Sequence, residues 1–303
     1  MAIFVDKDTD VLVQGITGKL GALQTKLMLD YGTKIVAGVT PGKGGQTQFD
    51  IPVYDSVQKA VSNHRIDASV IYVPAPFVQD AAFEAMDAGV RFMAIITDWV
   101  PIHSEMKIKA YARSKDTCYI GPNTPGIMIP GQTSLGMISG SAVMPGGVAV
   151  ISRSGTLSDE IASHLSEENI GQSVVIGLGG DPVVGSRMID VLKLVQEDEQ
   201  TKIVLIVGEI GGTMEEEAAE YIEAEFDKPV VAFIAGRTAP RGKVMGHAGA
   251  IIMGERGTAE SKINAFRLAG VPVAKTLWEI APLVKKMTKR STATKSRNSE
   301  NLR

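Results

Sequence analysis

Along the chain, short runs of β-branched and other apolar residues alternate with turns containing Gly, Pro or Asp and with longer segments whose apolar positions recur every three to four residues. Such alternation predicts an α/β protein in which parallel strands are joined by covering helices. In the first half the strands are expected at Val11–Gln14, Lys34–Val39, Ala68–Val73, Phe92–Thr97 and Tyr119–Gly121, with helices at Ala22–Leu29, Val78–Ala88 and Glu105–Ser114. Residues 123–145, rich in Pro and Gly and without a sustained apolar period, read as a connector. A second series follows, with strands at Val148–Ile151, Ser173–Ile176, Lys202–Val207, Pro229–Ile234 and Val271–Ala274, and helices at Leu157–Glu167, Ser186–Gln196, Glu215–Ala224 and Thr258–Ala269. The expected organisation is therefore one domain over 1–122, a second over 146–284, and a tail over 285–303.

Both halves open alike: an apolar strand runs into a Gly or Ser turn and then a helix, as VLVQGITGKLG and VAVISRSGTLSDE. Open parallel sheets bind ligands at the carboxyl ends of their strands, so each turn marks a candidate crevice.

Composition narrows the class. With 44% hydrophobic and 21% charged residues in 303, the bulk of the chain can bury a core and is not disordered. The net charge of −3 hides an asymmetry, because Lys285, Lys286, Lys289, Arg290, Lys295, Arg297 and Arg303 crowd the last twenty positions against Glu300 alone. The body is correspondingly acidic, which argues against a nucleic-acid surface, and the tail reads as solvated and poorly ordered. One cysteine, Cys118, excludes an intrachain disulfide, suits a reducing compartment and reads as a buried thiol. No apolar run approaches the roughly 18 residues of a membrane span, and the first residues carry no targeting pattern. No membrane partner and a cytoplasmic location are expected.

Several segments carry candidate chemistry. Gly15, Gly18 and Gly21 follow the first strand at a spacing that lets backbone approach a phosphate at a helix N-terminus, although a tight turn needs the same residues. The second strand ends Ala37-Gly38-Val39-Thr40, without the acid that would hold a nicotinamide dinucleotide's ribose. The next loop, Thr40-Pro41-Gly42-Lys43-Gly44-Gly45, offers a cation beside the first turn. Ser154, Gly155 and Thr156 open a helix, where unsatisfied N–H groups favour an anion and where Ser154 or Thr156 also suits a simple N-cap. His64, His103 and His164 read as surface residues. His247 lies among small neighbours in Met245-Gly246-His247-Ala248-Gly249-Ala250, accessible as a nucleophile if one ring nitrogen is held by an acceptor. Glu209, at the end of a very apolar strand, is the candidate acceptor. No histidine or cysteine cluster has metal-ligand spacing.

Together VTPGKGG, SVIYVPAPF, GPNTPG, VISRSGTL, IGLGGDPVVGS, GEIGGTMEEEAAEYI and RGKVMGHAGAII resemble the α subunit family of succinyl-CoA synthetase, in unbroken order from residue 1 to about 280. The resemblance implies an N-terminal Rossmann-like CoA-binding domain followed by a flavodoxin-like ligase domain. It also implies a separate ATP-grasp β subunit that holds ATP or GTP and Mg²⁺, in an αβ or (αβ)₂ assembly. In that family a carboxylate becomes an acyl phosphate, CoA displaces phosphate, and a histidine relays the phosphoryl group. The matching histidine is His247 and its orienting acid Glu209; Ser154, Gly155 and Thr156 match the helix start that stabilises phosphohistidine. The family's CoA contacts fall on Thr17, Gly18, Lys19, Leu20, Lys43, Ile96, Thr97 and Asp98. The implied substrate is succinate, with malate or citrate, or a non-catalytic CoA-binding role, as alternatives.

Three positions depart from the family pattern. Asp159 stands where a tyrosine linked to the acyl substrate is usual, Thr124 replaces a cysteine in GPNCPG, and Asp98-Trp99 replaces Glu-Gly in ITEGIP.

Overall fold

The computed structural model describes residues 3–240, 242–252 and 257–289. The first half forms β1 (Val11–Gln14), α1 (Lys19–Tyr31), β2 (Ile35–Val39), β3 (Thr47–Gln48), β4 (Ile51–Tyr54), α2 (Val57–Val61), β5 (Ala68–Ile71), α3 (Val78–Asp87), β6 (Phe92–Ile95), α4 (Ile102–Lys115) and β7 (Cys118–Ile120). These strands make one sheet in the order β3-β4-β2-β1-β5-β6-β7, parallel except for the β3–β4 pair. Leaving aside the edge hairpin strand β3, this is the doubly wound order whose crevice lies beside the first strand.

The second sheet comprises β8 (Gly126–Ile129), β9 (Thr133–Gly136), β10 (Pro145–Ser152), β11 (Gln172–Gly177), β12 (Ile203–Gly208), β13 (Val230–Ile234) and β14 (Val273–Ala274). Its helices are α5 (Gly155–Glu167), α6 (Met188–Glu197), α7 (Met214–Glu225) and α8 (Ala259–Leu268). The order β14-β13-β12-β10-β11-β8-β9 contains the flavodoxin-like arrangement, with β10 at the switch point between β11 and β12. The two expected domains are thus Rossmann-like and flavodoxin-like α/β sheets. Strands such as β10, β11 and β12 are buried on both faces, which is why they read as continuous apolar runs.

The connector expected over 123–145 is instead largely structured. Gly126–Ile129 pairs antiparallel with β11 and, through a short turn, with β9. The glycines and prolines obscure an apolar run, Ile127, Met128 and Ile129, that is buried against the second sheet. Two other expectations need correction. Cys118 heads the edge strand β7 and is exposed, while the next residues Tyr119 and Ile120 fill the interior. The tail does not begin at 285: a helix runs over 280–289, burying Ile280, Ala281 and Val284, with Lys285 paired to Glu168 at 2.7 Å. The rest of the expected tail, Arg290–Arg303, lies outside the described residues.

The apolar core is continuous across both sheets, joining Val11, Ile120, Ile127, Ile151 and Ile206. A buried hydroxyl also ties the halves: Thr33 Oγ1, after α1, donates to Ser134 O at 2.8 Å and accepts from Ser134 N at 3.0 Å. Thr33→Val keeps the shape but orphans both backbone groups, so it is expected to lower unfolding free energy by about 2 kcal/mol in a denaturant titration, with Thr33→Ser close to the parent.

Candidate active site

Three strand-end loops converge where β10, β11 and β12 stop. The turn after β10 carries Arg153 and Ser154, that after β11 carries Gly180 and Asp181, and that after β12 carries Glu209. Parallel pairing aligns these ends, which brings together residues separated by more than fifty positions. His247 arrives from the loop after β13, anchored where Gly249 N donates to Gly180 O at 2.9 Å and Ala250 N to His247 O at 3.0 Å.

The imidazole Nδ1 lies 3.0 Å from Oε1 and 2.9 Å from Oε2 of Glu209. An ionised carboxylate only accepts, so Nδ1 carries the proton and Nε2 keeps its lone pair in the neutral ring. The Glu209 hydrogen bond raises the His247 pKa above the ordinary value, against burial and against the charge of Arg153. The ring packs on Gly180, where an added Cβ would stand 2.4 Å from His247 Cγ.

His247 lines an open cavity of about 1070 Å³ together with Gly155, Thr156, Asp159, Leu20, Thr97 and other residues. Gly155 and Thr156 begin the 13-residue α5, so its positive end faces this space. Ser154 acts as the N-cap, its hydroxyl accepting from Leu157 N at 3.4 Å, so this part of the turn serves the helix itself. Of the CoA residues expected from sequence, Leu20, Ile96, Thr97 and Asp98 line the cavity. Thr17, Gly18, Lys19 and Lys43 are not among its lining; Thr17, Gly18 and Lys43 sit on the turns after β1 and β2, joined where Thr17 Oγ1 meets Thr40 Oγ1 at 3.1 Å, and Lys19 opens α1. Gly21 allows α1 to cross that turn, since a Cβ there would come within 2.2 Å of Gly15 O.

The link between domains forms part of the cavity wall. Asn123 N donates to Thr97 O at 2.9 Å, and Gly180 N donates to Asn123 O at 3.0 Å. Thr124 Oγ1 donates to Gly177 O at 2.7 Å and accepts from Gly126 N at 3.0 Å. The Thr124 hydroxyl thus has a structural use of its own. Trp99 adopts φ 57°, a left-handed conformation that explains why glycine suits this place, and is 74% exposed at the cavity edge. Asp159 is half-buried on the cavity wall, and its Oδ1 has no partner among the described residues. Burial raises its pKa, although the Ser139 N–H opposes this.

The remaining histidines stand apart from the cavity. His103 is exposed, Tyr54 Oη and His64 Nε2 share a hydrogen bond of 2.8 Å, and His164 is half-buried edge-on to Trp278.

Sequence reading missed the groups behind Glu209. Arg153 places one terminal nitrogen 3.4 Å from Glu209 Oε1 and the other 3.3 Å from Glu215 Oε1, and Glu215 pairs with Lys262. Arg153 lies inside the SRSGT turn, but nothing local distinguishes a buried arginine from a solvated one. Glu215 opens an acidic run, Glu215-Glu216-Glu217, that looks like an ordinary solvated helix start. Asp181 was also missed; it accepts from Asn123 Nδ2 at 3.0 Å beside buried Glu105, whose pKa is raised by burial and by Asp181.

Both halves of the chain match known families. Residues 6–99 match the CoA binding domain family and residues 151–272 the CoA-ligase family. The chain is 53% identical over 287 residues to the succinate–CoA ligase [ADP-forming] subunit alpha 1 of Archaeoglobus fulgidus, covering 95% of this chain and 98% of that protein. It is 52% identical over 280 residues to the corresponding alpha subunit of Staphylococcus aureus, covering 92% and 93%. Among solved structures, ATP citrate lyase from Methanothrix soehngenii in complex with citrate and coenzyme A superposes with a TM-score of 0.87 at 26% identity. That match covers 97% of this chain and 52% of the lyase chain, so the chain spans about half of that enzyme.

Gly180→Ala should push the imidazole off Glu209 while costing the fold about 1 to 3 kcal/mol. A downfield proton resonance from Nδ1–H, present in the parent and absent in the variant, is the expected outcome.

Proposed function

The chain belongs to the succinate–CoA ligase α-subunit family, and on that premise we propose that it binds CoA and relays a phosphoryl group through His247 during formation of succinyl-CoA. The observation that carries this reading is the Glu209–His247 hydrogen bond at the edge of a cavity shared by the α5 N-terminus and the loops of the first domain.

The proposed chemistry is a phosphoryl relay. Nε2 of neutral His247 attacks the terminal phosphorus of a nucleoside triphosphate, and the diphosphate leaves. Positive charge develops on the ring, where ionised Glu209 stabilises it through Nδ1–H. The N–H groups of Gly155 and Thr156 and the α5 dipole suit the phosphoryl dianion. A succinate carboxylate oxygen then attacks phosphorus, His247 leaves, and an acyl phosphate forms. CoA thiolate attacks the acyl carbon and releases inorganic phosphate. Thr17, Gly18, Lys19, Leu20, Lys43, Ile96, Thr97 and Asp98 are the residues we assign to CoA, whose phosphates suit the N-terminus of α1 and the Lys43 cation.

A partner subunit is part of this reading. The cavity lining includes Asp98, Asp159 and Glu160 but no lysine or arginine among the described residues, which supports placing the triphosphate on a second subunit. We assign the nucleotide and Mg²⁺ to an ATP-grasp β subunit, in an αβ or (αβ)₂ assembly. ADP-forming relatives favour ATP over GTP. Asp159 on the cavity wall supports a second reading, the same chemistry on malate or citrate, because a carboxylate there can accept a substrate hydroxyl that succinate lacks.

The test is to purify the chain with its native partner, supply labelled ATP or GTP with Mg²⁺, and discharge the label with CoA and succinate, malate or citrate. Label on His247 released by succinate and CoA is expected; release by another acid alone moves the substrate, and absence of label favours a non-catalytic CoA-binding role. His247→Ala should abolish labelling and leave CoA affinity within a few-fold, whereas Lys43→Ala should weaken CoA about tenfold, equivalent to about 1.4 kcal/mol, and spare labelling. Labelling should also fall as pH drops through the raised His247 pKa, hence starting above the ordinary value of 6.5, because protonated Nε2 has no lone pair. Initial labelling rates across pH 5 to 9 (a span of about four units around the histidine range) check the sign.

A further inference from the structure

Behind Glu209 lies a chain of charges that reaches no part of the His247 cavity. Arg153 is 5% exposed, Glu215 0% and Lys262 0%. One terminal nitrogen of Arg153 stands 3.4 Å from Glu209 Oε1. The other donates to Gly211 O at 2.8 Å and stands 3.3 Å from Glu215 Oε1. Glu215 Oε1 also accepts the backbone N–H of Glu209 at 3.1 Å, and its other oxygen pairs with Lys262. Lys262 donates to Gly211 O at 2.9 Å and reaches Glu216 Oε2 at 3.4 Å. The backbone of 209–211 is therefore tied to charged side chains from the β10 turn, from α7 and from α8.

Burying such charges costs several kcal/mol per ion, and well-packed apolar groups often give equal or greater stability. Stability alone is a poor reason for the cluster. Its contact with Glu209 supplies a better one. A carboxylate left alone against an imidazole favours the imidazolium and so protects Nε2 from reaction; an adjacent cation weakens that pull while keeping the carboxylate ionised. We propose that Arg153, held by Glu215 and Lys262, is a positioning residue that fixes Glu209 against Nδ1 and tempers its charge, so that His247 keeps a reactive Nε2.

The inference rests on the reading of His247 as phosphoryl acceptor. Among the described residues, the other charged groups facing the imidazole or its cavity are Asp181 from the β11 loop, Asp98 from the β6 loop, and Asp159 and Glu160 from α5. None of these touches Arg153 in a salt bridge among the described residues, so substitutions within the cluster change the Glu209 side selectively.

The decisive experiment titrates the His247 ring by NMR in the assembled complex and measures the pH profile of labelling from ATP in the same samples. Arg153→Met should raise the His247 midpoint by about one pH unit and move the acid limb of labelling with it. At a pH one unit below the parent midpoint, labelling should fall about tenfold. Glu215→Gln should act in the opposite sense, because Arg153 then gives more of its charge to Glu209. Arg153→Lys should restore the parent midpoint but label more slowly, since it lacks the second donor that grips Gly211 and Glu215. If Arg153→Met fails to fold, the downward shift in Glu215→Gln decides the matter. Folded variants that titrate with the parent would overturn the proposal. A parent complex that titrates as expected but takes up no label would instead overturn the phosphoryl-acceptor reading and leave the electrostatic coupling intact.

Discussion

A half-buried imidazole presents one defined nitrogen to a reaction only if its other nitrogen has a fixed acceptor, and that acceptor must stay ionised away from bulk water. Glu209, itself 7% exposed, meets this demand and passes it on. Its charge is offset by Arg153, which burial would disfavour and which Glu215 and Glu209 hold protonated. Glu215 is fully buried, and Arg153 and Lys262 outweigh the burial that would otherwise protonate it. The parallel sheet makes the cluster possible by ending β10 and β12 side by side, while α7 and α8, packed on each other, supply Glu215 and Lys262.

The same strand-end logic brings the first domain to the site. Residues 121–126 leave β7 and run between the ends of β6 and β11, bonding to Thr97 on one side and to Gly177, Leu178 and Gly180 on the other. A phosphoryl group at His247 and a thiol carried on the first domain would therefore share one cavity wall. Each domain alone supplies only half of it.

The departures from the family pattern acquire different meanings once placed. Thr124 is held by two buried hydrogen bonds, so its hydroxyl is occupied in joining the link to β11. Trp99 keeps a backbone conformation that glycine adopts more easily, and its exposed ring stands at the cavity rim. Asp159 lines the cavity as a half-buried carboxylate, which makes it the departure that bears on substrate.

Sequence by itself determined the two α/β sheets, because burial on both faces writes long apolar runs at β10, β11 and β12, and because strand, turn and helix follow one another within a few residues. It also marked His247, Glu209 and the start of α5, since small residues, a strand-end acid and a helix-opening turn are local signals. It did not disclose the β8–β9 hairpin, where glycine and proline mask two four-residue strands, the first of which pairs with β11 over forty positions away. Nor did it disclose Arg153, Glu215 and Lys262 as one cluster. A charge reads as solvated unless its surroundings are known, and the partners here lie 62 and 47 positions apart. Only the tertiary structure decides such contacts, because burial and Coulomb attraction depend on distance through space while periodicity records distance along the chain.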